Sequence, residues 1–493
     1  MSLFQNKFLK IRNIVRQNKL LMFVFFCCFI YWGYLFRSSS MVIQFDAVGY
    51  EELGTMIYRE GWEAFLRTGP HREPLYPWLV ATSMHIADTT GTPYQSIQKF
   101  FQVAILFTTQ LMLMALLKVA GIRDGIIAVT ILYFGFSPAI VNSALSLYSE
   151  IAAYPAVLAI VWGGWYCWRA VHREKTSRVI AGAAFTALAF AWATFVKGIF
   201  QYVFLLFIIP FVLTTIEAVL KRNFKKMFNG IIFLVIAVVT LGSLVISYRY
   251  ANKRLNGNLE FSNRYDGNLF GTAAKRTGKL SSELFLAHLA SVPGGGVCRV
   301  FFSKETCQYC EFFGMDLYRA TELPPLLKEN GVETLGAERT HEIISLAFKK
   351  IADNPLQYFF LTALESLKMA FWESTQIGFV TYPEPLKRLF HFSPFKNGIR
   401  FVLVALTYFS LFHLIVRTYR RRSELFIFDA RKGVKIQIEF FVLLTIVSFT
   451  ALYAPFSILT RFALPITTLY LLCIAFTLQD FLGEKKMILL QKK

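Results

Sequence analysis

Long apolar runs alternate with short charged segments along most of this chain, and one long polar stretch interrupts them in the middle. A run of about 18 apolar residues is long enough to cross a bilayer as a helix. The pattern therefore predicts about ten membrane-spanning helices. They are Leu20–Phe36, Phe100–Ala120, Gly125–Leu147, Ile151–Trp168, Val179–Val196, Ile199–Val219, Ile231–Ser247, Phe401–Val416, Ile436–Tyr453 and Phe462–Leu478.

Basic residues are concentrated at alternate ends of these spans and give their orientation. Beside the N-terminal tail, the Lys- and Arg-rich segments are 169–178, 221–226, 417–422 and 485–493. Such residues favour the cytoplasmic side, so both termini are expected there. Two large loops, 37–99 and 248–400, then face the opposite side. Bulky aromatic residues end the first span, and this argues against cleavage as a signal peptide.

Composition agrees with a membrane protein. Of the 493 residues, 55% are hydrophobic and only 17% are charged, whereas soluble domains average about 25% charged. The expected fold class is an all-α polytopic membrane protein. The net charge of +21 is explained by orientation and by attraction to anionic headgroups. Without basic stripes interleaved with aromatics, it does not indicate a nucleic-acid partner.

Three regions are predicted: an N-terminal membrane module (1–247), an outer region (248–400) and C-terminal spans (401–493). The outer region contains a mixed polar insertion at 248–357, with turn sequences and helical patterns near 281–290 and 336–352. Glu365 and Lys368 interrupt the apolar segment 355–375, so we expect an amphipathic helix at the membrane interface rather than a further span.

Three cysteines of the outer region, Cys298, Cys307 and Cys310, could form a disulfide in an oxidising compartment, and the sequence leaves the pairing open. The Cys307-x-x-Cys310 spacing alone is a weak zinc signal, because no second pair follows it.

The first outer loop contains the strongest candidate chemistry. Asp46 follows the first span and precedes a helical stretch, where it could be an N-cap or a general base at the membrane boundary. On a helix that begins there, Tyr50 and Gly54 share its face, and we expect that face to leave room for a ligand. Later in the loop, Arg72 is followed by Glu73.

Prolines 74 and 77 restrict the path of this part of the loop. Arg72 there is either a fixed cation for a phosphate or the partner of Glu73 in an ion pair that stabilises the loop.

Three further ionisable residues end spans on the same outer side. Glu150 follows the third span, and we expect a role in a site. Lys197 and Arg461 oppose the usual charge bias, and each is either a counter-charge for a lipid phosphate or a side chain that extends toward water. With Asp46 and Arg72 they predict a site for a phosphate-bearing lipid with a base nearby.

The pattern resembles the membrane glycosyltransferases of the GT-C fold, in particular the dolichyl-phosphate-mannose protein mannosyltransferases and the bacterial aminoarabinose transferases. The resemblance lies in Asp46-Ala-x-x-Tyr50, in Arg72-Glu73-Pro74-Leu-Tyr76-Pro77, in Ser149-Glu150 and, more loosely, in Thr460-Arg461-Phe462-Ala-Leu-Pro465. It covers mainly 40–220 and 440–480.

The resemblance implies an inverting transfer of a sugar from a polyprenyl-phosphate donor to a lipid, glycan or protein acceptor. Asp46 would be the catalytic base and Glu150 would orient a substrate. The substrate-binding candidates are Tyr50, Arg72, Glu73, Tyr76, Lys197 and Arg461. The implied location is the outer face of a bacterial inner membrane.

Two departures limit the resemblance. Ala47 stands where the protein mannosyltransferases have Glu, so protein O-mannosylation is not implied, and Phe462 replaces a Tyr. No cofactor is expected, since Asp46 and Glu150 alone would be a thin ligand set for a divalent metal. A lipid-linked sugar transporter or flippase, a polysaccharide polymerase or ligase, and a non-catalytic assembly subunit stay as alternatives.

Overall fold

The computed structural model describes residues 18–69, 72–262, 265–330, 337–374, 378–428, 433–456 and 458–491. Its N-terminal part consists of helices joined mostly by short turns. In chain order these elements are α1 (Lys19–Ser38), β1 (Ser40–Met41), α2 (Asp46–Arg67), α3 (Leu75–Thr90), α4 (Tyr94–Val119), α5 (Asp124–Phe136), α6 (Pro138–Leu145), α7 (Glu150–His172), α8 (Thr176–Val196), α9 (Phe200–Phe207), α10 (Ile209–Leu220) and α11 (Phe224–Asn256).

The outer region folds into shorter helices, and long helices return after it. These elements are α12 (Tyr265–Thr277), α13 (Ser282–Ser291), α14 (Gly295–Phe301), α15 (Lys304–Cys310), α16 (Gly314–Glu329), α17 (Ala337–Asp353), α18 (Pro355–Ser366), β2 (Val380–Thr381), α19 (Glu384–His391), α20 (Ser393–Arg420), α21 (Val434–Tyr453) and α22 (Thr467–Gln491). Short 3₁₀ segments lie at Leu367–Ala370, Trp372–Ser374, Arg422–Phe426 and Thr460–Ile466.

The span-length helices agree with the ten apolar runs. Within the described ranges, nine helical segments are long and apolar enough to cross a membrane, and the bent pair α5 and α6 makes a tenth if counted as one span. The chain is therefore an all-α polytopic membrane protein. Helices α13 and α17 confirm the two helical patterns expected in the polar insertion. Helix α18 has 12 residues, which is too short to span a bilayer.

Helix α7 lies at the centre of the bundle, and 78% of its most apolar stretch is buried. It packs closely on α8 because glycines face the neighbouring helix. A Cβ on Gly163 would clash with Thr186, and one on Gly182 would clash with Cys167. Small residues of this kind let membrane helices approach each other in the absence of a hydrophobic driving force.

The break between α5 and α6 is a bend of 49°. Pro138 begins α6, and a proline has no N–H with which to continue the preceding helix. The Glu373 carboxyl group accepts hydrogen bonds from Tyr133 Oη (2.6 Å), Ser137 Oγ (2.7 Å) and the Ala139 N–H (3.2 Å) at this break. Burial raises the pKa of Glu373 to about 7.

A two-residue antiparallel ladder joins the first outer loop to the end of the second. Ser40 pairs with Thr381 and Met41 with Val380. Just beyond it, Gln44 Nε2 donates to the Gly378 carbonyl (3.0 Å). This ladder fixes the direction in which the chain leaves α1 and enters α2.

The outer region has its own small core between α12, α16, α17 and α18 and a disulfide between Cys298 and Cys307. The bridge connects α14 to α15. Of the three cysteines whose pairing the sequence left open, Cys298 and Cys307 therefore form the disulfide. Cys310 is a buried thiol beside it.

A cluster of buried ionisable groups lies in the same region. Glu365 accepts from Lys275 Nζ (2.7 Å) and Arg276 Nη2 (2.6 Å), and His288 Nδ1 lies 4.0 Å from it. Lys368 donates to a backbone carbonyl nearby (3.4 Å). Burial alone would raise the pKa of Glu365, but the surrounding cations, Lys275 first, hold it well below its usual value.

Arg276 also attaches this cluster to the membrane bundle. Its Nη1 donates to the Ala454 carbonyl (2.7 Å) and its Nη2 to the Phe456 carbonyl (3.0 Å), both just past the end of α21. Five N–H donors in one planar group allow Arg276 to hold both these carbonyls and Glu365.

We expect Glu365→Gln to destabilise the fold by about 3–5 kcal/mol, because removing one member of a buried ion pair leaves the opposite charges uncompensated. Thermal unfolding of the purified protein in detergent measures this. Glu384→Gln, at an exposed carboxylate of α19, is the matched control and should change stability little. Equal effects of the two substitutions would contradict a central role for Glu365.

We also expect His288 to make the fold less stable in acid. Burial lowers the pKa of His288 to about 4, from a usual value near 6.5. As pH falls from about 6.5 to 4, the unfolded chain gains this proton first, so folding loses roughly 3 kcal/mol at the lower end.

The unfolding midpoint of His288→Asn should therefore fall less than that of wild type over this pH range. His391→Asn, at an exposed histidine of α19, should follow wild type. A His288→Asn protein with an unchanged pH profile would refute the assignment.

Candidate functional site

Asp46 lies between two arginines, Arg72 of the first outer loop and Arg461 at the start of the last span. Arg72 Nη2 donates to Asp46 Oδ1 (2.5 Å), and Arg461 Nη2 pairs with Asp46 Oδ2. Asp46 is the first residue of α2, and Phe45 stands at the N-cap position with a φ of 52°. The structure thus places Asp46 one residue inside the helix rather than at its cap, with each carboxylate oxygen on a guanidinium.

Arg72 is positioned by more than this ion pair. Its guanidinium lies over the ring of Tyr50, 4.7 Å from the centroid. Burial acts to lower the pKa of Arg72, but Tyr50 and then Asp46 outweigh it, and the pKa is raised. Arg72 therefore stays a cation at every physiological pH. The alternative in which Arg72 pairs with Glu73 is wrong, because the Arg72 guanidinium bonds Asp46 instead.

Two tyrosines form the buried wall behind these charges. The ring of Tyr50 meets that of Tyr76 edge to face at 4.8 Å. Tyr50 shares a hydrogen bond with Ser149 (2.8 Å), and Tyr76 donates to Gln102. The two tyrosines are only 2% and 1% exposed. Through these contacts Tyr50 supports Arg72 and the start of α7, and Tyr76 supports Tyr50.

Gly54 does not leave room for a ligand. A Cβ there would lie 2.6 Å from a methyl of Val80, so α2 and α3 touch at this glycine. The expectation that Gly54 leaves space for a ligand is wrong, because Val80 of α3 fills the space beside it.

Glu150 and Lys197 form a second ion pair beside the first. Lys197 Nζ lies 3.2 Å from Glu150 Oε1, at the N-terminal end of α7 and the C-terminal end of α8. Burial works to lower the pKa of Lys197, but Glu150 outweighs it and the pKa is raised. Within the described part of the chain, the other oxygen of Glu150, Oε2, is buried and has no hydrogen-bond partner.

Glu73 joins the first outer loop to the turn after α8. Its Oε1 accepts the Gly198 N–H at 2.9 Å. Since Gly198 follows Lys197 directly, this bond holds the proline-rich loop against the second ion pair.

The two ion pairs are connected through the segment before α7. Tyr50, under Arg72, bonds Ser149, which is the neighbour of Glu150. Arg461 lies over the ring of Tyr148, 5.5 Å from the centroid. The structure thus brings all eight sequence-predicted residues into one region: Asp46, Tyr50, Arg72, Glu73, Tyr76, Glu150, Lys197 and Arg461.

Sequence reasoning missed Tyr148 and Gln102. Tyr148 could have been found, because it directly precedes the Ser149-Glu150 pair that the sequence analysis singled out. Gln102 is a buried polar residue near the start of an apolar span; its Nε2 donates to the carbonyls of Ala144 (2.9 Å) and Ser146 (3.0 Å). Polar residues inside spans often mark such sites.

No cluster of three or more His, Cys, Asp or Glu side chains suited to a metal occurs among the described residues. The groups around Asp46 and Glu150 are cations, so the arrangement suits an anionic ligand. Arginine pairs recognise phosphate oxygens well, because the planar guanidinium donates two parallel hydrogen bonds.

A scan against protein-family models finds no match to this chain, and a search of curated proteins finds no significant match either.

We expect the Glu150–Lys197 pair to be strongly coupled. Lys197→Gln leaves the buried carboxylate of Glu150 uncompensated and should cost about 3–5 kcal/mol of stability. The double variant with Glu150→Gln should lose less than the sum of the two single losses. Thermal unfolding of the three variants measures the coupling, and strictly additive losses would show that the pair does not interact.

Proposed function

We propose that this protein is an integral membrane glycosyltransferase that moves a sugar from a polyprenyl-phosphate donor to an acceptor at the outer face of the membrane. The observation that carries the proposal is the carboxylate of Asp46 held between Arg72 and Arg461, with Glu150 and Lys197 beside it. Asp46 would then be the base, Arg72, Arg461 and Lys197 the cations for the phosphate, and Glu150 Oε2 a hydrogen-bond acceptor, all at one level of the bundle. The resemblance to GT-C enzymes points to the same chemistry.

In this reaction the acceptor hydroxyl gives its proton to Asp46. The acceptor oxygen attacks the anomeric carbon of the sugar and forms the new glycosidic bond. The bond from that carbon to the phosphate oxygen breaks, and the polyprenyl phosphate leaves with the electron pair. A single displacement of this kind inverts the configuration at the anomeric carbon.

The two arginines give the site a way to activate its base. In the structure they neutralise Asp46, which weakens it as a proton acceptor because the opposite charges favour its ionised form. A donor phosphate would compete for the same guanidinium groups. As Arg72 or Arg461 turns to the phosphate, Asp46 loses a cation and becomes more basic beside the acceptor.

Lys197 and Glu150 have complementary roles in this scheme. Lys197 adds a third positive charge for the leaving phosphate, whose negative charge grows as the bond breaks. The Oε2 atom of Glu150 is an acceptor for a sugar hydroxyl and so can orient the donor or the acceptor.

We expect Asp46→Asn to lower turnover by at least about 100-fold, the lower end of what a general base contributes. Asn keeps the size of the side chain but cannot take the proton. The measurement is sugar transfer by the purified protein from a radiolabelled pool of polyprenyl-phosphate sugars. Asp88→Asn, at an exposed carboxylate of α3 that bonds Tyr58, is the matched control and should keep full activity.

Equal activity of wild type and Asp46→Asn would refute Asp46 as the base. Tight binding of the lipid donor without transfer by either protein would favour a lipid-linked sugar transporter instead.

A further inference from the structure

A second polar site lies at the opposite end of α7 from Asp46 and Glu150. A cavity of about 390 Å³ opens there between the C-terminal ends of α4 and α7 and the N-terminal ends of α8 and α21. The residues of α7 that line it, from Trp165 to Ala170, come 15 to 20 residues after Glu150, so the cavity is about 23–30 Å from the candidate active site along the helix. The distribution of basic residues predicts that it faces the cytoplasmic side.

Four cations and two aromatic residues line the cavity, and no carboxylate is among the described residues of its lining. The cations are Arg169, Arg173, Lys175 and Arg178, and the aromatics are Trp165 and Tyr166. Val119, Ala170 and Val434 also line it. Like charges collected around a concave surface repel one another, so such a site is stabilised when an anion occupies it.

The carbonyl group of Phe428 accepts hydrogen bonds from two of these arginines. Arg169 Nη2 and Arg173 Nε donate to the Phe428 carbonyl at 3.1 Å and 2.8 Å. In the part of the chain that the structure describes, Arg173, Lys175 and Arg178 form no ion pair with a carboxylate. Their charges thus remain available, and the arginines keep further N–H donors for a ligand.

Trp165 provides a separate indication of a ligand. Its indole nitrogen is buried, and among the described residues it has no hydrogen-bond partner. A buried N–H without an acceptor is unfavourable, and a phosphate oxygen in the cavity would supply one. Trp and Tyr side chains are also typical of the headgroup level of a bilayer.

We propose that this cavity, which we call the inner basic cavity, binds the phosphate headgroup of an anionic membrane lipid. Its volume falls in the range of small-ligand sites. Val119 and Trp165 give its edge an apolar surface for the glycerol backbone and acyl chains. A soluble phosphate compound would satisfy the cations but would have no use for this apolar edge. The proposal does not depend on the function proposed for the outer site.

The test is lipid retention by the full-length protein, measured by native mass spectrometry from detergent. The probes are phosphatidylglycerol, phosphatidylcholine, glycerol 3-phosphate and inorganic phosphate. Wild type should retain phosphatidylglycerol in preference to phosphatidylcholine. Arg173→Gln/Arg178→Gln should weaken that retention about tenfold for each charge-assisted hydrogen bond that the substitutions remove.

Two further variants make the result specific. Arg222→Gln/Arg420→Gln removes the same charge from exposed positions on the same side but outside the cavity, and it should retain the lipid as wild type does. Arg173→Lys/Arg178→Lys keeps the charges and should preserve the preference for phosphatidylglycerol, although more weakly.

Several results would overturn the proposal. An equal loss in the cavity variant and the matched control would show a general surface charge effect. Binding of glycerol 3-phosphate or inorganic phosphate as tight as that of the lipid would show that the ligand is a soluble phosphate compound. No difference between phosphatidylglycerol and phosphatidylcholine in wild type would exclude an anionic lipid site.

Discussion

The ion pairs of Asp46 join segments that are far apart in the sequence. A carboxylate that is mostly withdrawn from water needs opposite charge close by, because its loss of hydration is otherwise uncompensated. Arg72 supplies one cation from the first outer loop, and Arg461 supplies the other from the start of the last span. The loop, α2 and the C-terminal spans are thereby held in one arrangement, and the candidate site is a product of that closure.

The same requirement applies to two other buried carboxylates, Glu365 and Glu373. Glu365 pairs with Lys275 and Arg276 in the outer region. Arg276 also bonds the Ala454 carbonyl and so connects that region to the end of α21. Glu373 accepts three hydrogen bonds at the break between α5 and α6. In a low-dielectric interior each unpaired group would be costly, so these contacts select which helices can be neighbours.

The two ends of α7 differ in their electrostatics. At the outer end, the three carboxylates Asp46, Glu73 and Glu150 match the number of cations, and each cation there has a carboxylate partner. At the inner end, the described residues that line the inner basic cavity include four cations and no carboxylate. A balanced site can release a carboxylate when a phosphate enters, as the proposed catalysis requires. A site with surplus charge is suited to keeping an anion bound, which fits a structural lipid.

The sequence by itself determined the number and position of the spans, because these follow from hydrophobic length, and local charge predicted the side of the membrane that each end faces. It also placed Asp46, Arg72, Glu150, Lys197 and Arg461 at one level. Only the tertiary structure decided their partners: Arg72 binds Asp46 instead of Glu73, Glu73 binds the Gly198 N–H, and Gly54 packs on Val80. These choices depend on distances between segments far apart in the chain, and hydrophobic pattern and spacing carry no information about such distances.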